Sequence, residues 1–373
     1  MIIRSLRKQE AERTRPLWER IFHEDGKAFL DYYYKVKTED NAIYVVEAEG
    51  DIRSMLQLNP YVLKVGKYEI DSYYVVAVAT DAGYRHKGYM SELLKKSVRD
   101  MYRAGVPFTF LMPADEMIYF PHHFRMIYDQ QQWKPAATMD KKLTLESLLT
   151  REKWQQVILR KAVQEDCKRM AQFAERILRA KAQVYVKRDW QYYERLLEEQ
   201  ESQDGGILLA EYEGEIKGMV IYDKENGFSV REPLVIPEDE QLFEAAGLVL
   251  QKEEKKPMIM ARVLVVEKLL ECMTCKEETE FYFELFDPVI RENNKIFMVR
   301  GNEERIMVRT RPNIKGKHEE LQKISIDALT SILFGYKSLE KIEEEEQETF
   351  SEEFKEAVSK LNPLSQVFIN EIV

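Results

Sequence analysis

Arg85-His-Lys-Gly88 brings two fixed cations and a glycine to the start of a helix-forming stretch, a spacing suited to holding a diphosphate. Gly88 has no Cβ, so a ligand can approach its backbone closely. The amides of the first helical turn, at Tyr89, Met90 and Ser91, would then face that ligand along with the positive end of the helix dipole. Two other groupings invite chemistry less strongly. His122-His123 could ligate a metal, but adjacent histidines point apart on regular structure and no carboxylate partner is evident. Cys272-x-x-Cys275 lacks the second pair that zinc requires, so these two, like Cys167, read as ordinary thiols and no metal is expected. Asp25, Asp115, Glu116 and Glu371 could attract a cationic amine, although each taken singly reads as a surface charge.

The diphosphate loop needs a strand before it and a helix after it. Val75, Val76 and Val78 form a β-branched run suited to a strand covered on both faces. Leu93, Leu94 and Val98 recur at helical spacing beyond it. Upstream, residues 2–6 predict a strand, Lys8–His23 a helix, and Phe29 to Tyr34 a second helix rich in aromatics. Hairpins are expected at Glu49-Gly-Asp51 and Val65-Gly-Lys67, and Phe108–Met112 reads as a short apolar strand.

The plan then recurs. Ile207–Val220 aligns with Ile43–Leu56 without a gap, so that Glu47, Glu49, Gly50, Ile52 and Met55 return as Glu211, Glu213, Gly214, Ile216 and Met219. This predicts a duplicated domain. No Arg-x-x-Gly appears where the second copy should carry one, so one copy alone is expected to bind the diphosphate. Lys252–Pro257 reads as a charged linker. Beyond it, Met258–Val266 predicts a strand, Gly301-Asn302 a hairpin, and Ile324–Gly335 a strand, helix and glycine stop. Glu343–Glu348 reads as a solvated acidic face, and the apolar ending Asn362–Val373 as a tail that docks into protein.

At 373 residues the chain is long enough for two or three domains, and its 45% apolar content suits real cores. Its net charge of −10 argues against nucleic acid as partner and leaves room for a cationic substrate. No run is long enough to span a membrane and no secretion signal is recognisable, so a cytoplasmic protein without a membrane partner is expected.

Arg85-x-x-Gly88-x-Met90 after Val-Ala-Thr80 resembles the acetyl-coenzyme A loop of the GNAT acyltransferases, usually Arg/Gln-x-x-Gly-x-Gly/Ala. Met90 departs from the last position, where the Eis-type acetyltransferases tolerate larger residues. The ordered set of loop, Ile118-Tyr119, degenerate second copy and apolar terminus resembles the Eis type over nearly the whole chain. That resemblance implies an α/β protein with mixed sheets, in three domains. These are a GNAT domain at 1–145, a degenerate GNAT-like domain at 146–257, and a sterol-carrier-like domain at 258–373.

The same resemblance implies an acetyl-CoA-dependent N-acetyltransferase, with direct attack of a primary amine such as an aminoglycoside, polyamine or lysine. Val78, Ala79 and Thr80 would offer backbone to the pantetheine, and Arg85, His86, Lys87, Gly88, Tyr89, Met90 and Ser91 would hold the diphosphate. Ala114 and Asp115 lie where the family touches the cofactor again. Read without the family, Tyr119 is a packed ring bonded to a carbonyl; the resemblance makes it the general acid. It also makes the α-carboxylate of Val373 the general base, although His122-His123 and a terminal valine depart from the pattern. A homo-oligomer, hexamers included, is a further implication. The alternatives are an acetyl-CoA sensor without turnover or a lipid-binding module.

Overall fold

A computed structural model of the chain describes residues 1–135, 157–224, 229–236, 250–312 and 321–371. The first sheet begins as an antiparallel meander of β1 (Ile2–Ser5), β2 (Ala42–Ala48), β3 (Asp51–Val65) and β4 (Tyr68–Thr80). β5 (Phe108–Leu111) joins it parallel to β4, and β6 (Arg125–Gln130) lies at the far edge. The expected first helix divides in two, because Pro16 cannot sit inside one. A 3-10 segment at Lys8–Thr14 leads to α1 (Arg15–Ile21), with the proline in its first turn. α2 (Lys27–Val36) packs Phe29, Tyr33 and Tyr34 around Trp18, while its buried Tyr32 donates to the Arg195 carbonyl (3.0 Å). α3 (Tyr89–Arg103) follows the loop and buries Leu93, Leu94, Val98 and Met101, one stripe at 3.6-residue spacing.

The strand expected to open the last domain lies in the first sheet. Lys256–Val263 fits between β5 and β6, antiparallel to both. Its residues Ile259, Met260, Ala261 and Val263 are fully buried, as a central strand requires. The charged stretch before it is only partly a linker, since Leu250–Lys252 pairs with Trp133–Pro135.

The second unit repeats the meander in the same order, with strands Val157–Lys161, Gly206–Tyr212, Glu215–Asp223 and Ser229–Val235. Its electrostatics repeat too. Arg4 bridges Glu10 (2.7 Å) and Glu47 (2.9 Å) with Arg13 alongside; Arg160 bridges Asp166 (2.6 Å) and Glu211 (2.8 Å) with Arg169 alongside. Both hairpins turn on a left-handed Glu-Gly pair, Glu49-Gly50 and Glu213-Gly214. The boundary drawn at residues 145/146 lies outside the described residues.

The third unit is a four-stranded sheet (Thr279–Phe286, Lys295–Gly301, Ile306–Pro312 and Gln322–Ser325) with helices Ile326–Phe334, Leu339–Glu346 and Glu352–Ser359. Gly335 ends the first of these helices in the left-handed conformation, as its sequence position predicts. The acidic run is not a free solvated face. Glu346 grips the buried Arg125 of β6, and Glu343 pairs with Lys355 and accepts the Phe350 amide. One continuous apolar core runs through the first sheet and this last unit. Among the described residues no helix is long and apolar enough to cross a membrane.

Candidate active site

β4 carries a bulge where the register against β3 steps from Gln57↔Val76 to Met55↔Ala79, with Ala77 at φ 51°. β4 and β5 then part. Their pairing is confined to Tyr74↔Phe110, stitched by Thr109 Oγ1 donating to the Tyr73 carbonyl (2.7 Å) and Ser72 Oγ to that of Phe108 (2.8 Å). β4 continues to Thr80 while β5 ends at Leu111, so Val78, Ala79 and Thr80 run on past β5 and leave an opening beside them in the sheet.

The loop at the mouth of this opening is built from backbone. Asp81 caps the turn at the Gly83 amide, and His86 (φ 60°) and Gly88 (φ 77°) both take the left-handed conformation. Arg85, His86, Lys87 and Gly88 are exposed. No side chain caps α3, and its first internal bond runs from the Glu92 amide to the Gly88 carbonyl, which leaves the amides of Tyr89, Met90 and Ser91 facing outward. Unpaired amides of this kind at a helix start are able to receive an anion such as a diphosphate. A Cβ on Gly88 would meet no protein atom within 4 Å, so the glycine answers to backbone conformation and to the ligand rather than to packing. Gly88→Ala is therefore expected to cost only about 1 kcal/mol of stability. A ligand whose diphosphate sits against this turn should bind about ten-fold more weakly, equivalent to about 1.4 kcal/mol. Thermal melting and a calorimetric titration with coenzyme A read the two effects separately.

After β5, Asp115 caps the short α4 (Glu116–Tyr119) by accepting from the Met117 amide at 2.9 Å, with Ala114 exposed beside it. Tyr119 ends α4 with its ring edge-on to Phe124, and burial alone pushes its phenol up to about 12. Its hydroxyl has no hydrogen-bond partner among the described residues, so the carbonyl partner of the packed-ring reading is absent there. The turn behind it is held by two arginines and a histidine. Arg125 donates to the Phe120 carbonyl (3.2 Å), Arg262 to that of His122 (3.0 Å), and His123 Nδ1 pairs with Asp327 (2.8 Å). Burial, then His123, Lys95 and Arg262, keep His122 below its ordinary pKa and so favour its neutral form.

A cavity of about 630 Å³ lies where the first sheet meets the second unit, lined by Lys37, Tyr61, Tyr73, Tyr192 and Glu199 together with Glu371 from the tail. Of the four candidate acids, Glu371 alone lines the cavity. Asp25 accepts from Trp18 Nε1 (2.7 Å), Asp115 caps α4, and Glu116 is exposed. Val373 lies outside the described residues. Lys37, Tyr192, Glu199 and the buried Arg188–Glu232 pair escaped the sequence reading, because nothing local marks them; a long-range covarying partner would.

Residues 2–126 match the acetyltransferase (GNAT) domain family and residues 266–371 the sterol carrier protein domain family. No curated protein sequence matches significantly. Among solved structures, a conserved protein from Enterococcus faecalis V583, described as a "Probable N-Acyltransferase", superposes with a TM-score of 0.77 at 16% identity over 99% of this chain and 97% of its own. A GCN5-related N-acetyltransferase from Anabaena variabilis gives 0.77 at 14% over the full length of both chains. Eis1 from Mycobacterium abscessus gives 0.72 at 14%, again over both full lengths. At these identities the likeness is one of fold.

Proposed function

We propose that this chain, in which a GNAT acetyltransferase domain precedes a sterol carrier domain, transfers acetyl from acetyl-CoA to a primary amine by direct attack. The observation that carries the reading is the outward-facing amide cradle at His86–Ser91, set at the mouth of the opening between β4 and β5. Acetyl-CoA supplies the activated acyl group. Val78–Thr80 present strand backbone along its pantetheine, the cradle with Arg85 and Lys87 holds its diphosphate, and Ala114–Asp115 flank the far wall.

The chain's own residues meet the remaining demands. A lysine-like amine (pKa ~10.4) costs about 4–5 kcal/mol to present neutral at pH 7, so a base must take its proton. The α-carboxylate of Val373 is the proposed base, and the described tail supports this by bringing Glu371, two positions earlier, to the cavity wall. Tyr119 donates to the departing thiolate. Its raised pKa keeps the proton in place at neutral pH.

The cavity takes the acceptor. Its carboxylates largely carry basic partners: Asp40 pairs with Arg195 (2.7 Å), Glu199 with Lys37 (3.0 Å), and Glu371 with Arg188 (3.0 Å). A balanced wall of this kind suits an amine of low net charge, such as a lysine side chain, better than a polycation. Lysine peptides are therefore expected to surpass aminoglycosides and polyamines in kcat/KM. Their KM should change less than about two-fold between about 50 and about 300 mM salt. A thiol-release assay across such a panel, with calorimetry for coenzyme A, tests the whole reading. Tight coenzyme A binding with no turnover of any amine would make the protein a sensor, and no binding would end the case. A cytoplasmic homo-oligomer completes the proposal, with sedimentation as its measure.

A further inference from the structure

The tail is seated where the second unit meets the first sheet: the strand Val184–Val186, which pairs with Leu63–Val65 of β3, receives it on its other edge. Val367–Phe368 runs parallel to Val184–Tyr185, the Gln366 carbonyl accepts from the Gln183 (2.8 Å) and Val184 (3.1 Å) amides, and Ile369 is fully buried. Beyond this short ladder everything converges on Arg188. Its side chain is 2% exposed, as are those of Glu232 and Glu371. One guanidinium nitrogen donates to Glu232, and the other to Glu232 (3.0 Å) and to Glu371 (3.0 Å). Its plane lies near the rings of Tyr192 (5.4 Å) and Phe368 (5.6 Å). Tyr192 also donates to Glu371 (3.0 Å). Asn370 donates to Glu232 (2.8 Å) and accepts from Tyr128 and Gln130 of β6, both at 3.0 Å.

We propose that Arg188 is a positioning residue that seats residues 366–371 as a wall of the acceptor cavity. The second unit thereby serves as the receptor for the chain's own tail, a use for a copy whose sequence shows no Arg-x-x-Gly loop. The charge arithmetic supports this. Two buried carboxylates, one from the second unit and one from the tail, share a single fork; without it they face each other unneutralised in a dry site, and the tail is the part free to leave. Lysine, a point charge, could not make the same forked contact to both carboxylates. The inference rests on the reading that this cavity holds the amine.

The test uses the full chain with Arg188→Met, and with Glu371→Ala as a second variant that leaves the Arg188–Glu232 pair intact. Amide hydrogen exchange read by mass spectrometry should show residues 366–371 losing protection by about ten-fold or more in both variants, with Leu63–Val65 unchanged. Amine KM should rise about ten-fold, while coenzyme A affinity stays within about two-fold. Glu371→Gln, which keeps the oxygen that accepts from Tyr192, should restore most of the protection. Unchanged exchange in both variants overturns the role of Arg188. Faster exchange with unchanged amine KM overturns the cavity as the acceptor site.

Discussion

Tyr119→Phe is expected to lower kcat by about 10²-fold or more while leaving coenzyme A affinity unchanged. The substitution keeps the ring edge-on to Phe124 and removes one hydroxyl that has no partner among the described residues, so little packing or hydrogen bonding changes. What disappears is the proposed proton donor for the leaving thiolate. The sign of the pH dependence follows from burial. A phenolate at this site would be a desolvated anion, so the neutral form is favoured and the pKa rises to about 12. The donor therefore stays protonated through the working range, and a falling alkaline limb below about pH 10 would have to come from another group. Steady-state thiol release and a coenzyme A titration on the same preparation check both halves. A variant with full kcat would reduce Tyr119 to a packed ring.

Asp287→Ala is expected to destabilise the protein by about 3–5 kcal/mol. Arg262 and Asp287 are both fully buried and paired at 2.8 Å, with Arg262 supplied by the strand inside the first sheet and Asp287 by the sterol carrier unit. Burial presses the Arg262 guanidinium toward its neutral form and Asp287 opposes that most strongly, so removing the carboxylate strands a buried cation. It also orphans the amides of Val289 and Ile290, each of which donates to Asp287 at 2.9 Å. The double variant Arg262→Met/Asp287→Asn should recover much of the loss, because no charge is left unpaired. Thermal and urea unfolding decide it; a single-variant loss under about 1 kcal/mol would contradict the argument.

What could be read from the chain was what depends on neighbours in sequence. Val75–Val78, Gly88 and the Leu93-Leu94-Val98 stripe place strand, loop and helix because each signal is local. The Glu-Gly hairpins and the Gly335 stop are legible for the same reason. Pro16 was in plain view, yet the apolar spacing around it outweighed it in the reading and hid the split between the 3-10 segment and α1. The strand expected at Met258–Val266 forms two residues earlier, at Lys256–Val263, and in the first sheet, since an apolar run specifies burial on both faces but not by whom. The acidic run and Arg188 failed likewise: a charge's partner, here Arg125 or Glu371, lies more than a hundred residues away.

The strand threaded between β5 and β6 bears on how the molecule is made. On the ribosome the acetyltransferase sheet cannot close until residue 263 has left the exit tunnel, after the whole second unit has been translated. Until then β5 and β6 have an empty lane between them, open to any extended segment that passes. A nascent chain halted before that point should be a client for chaperones.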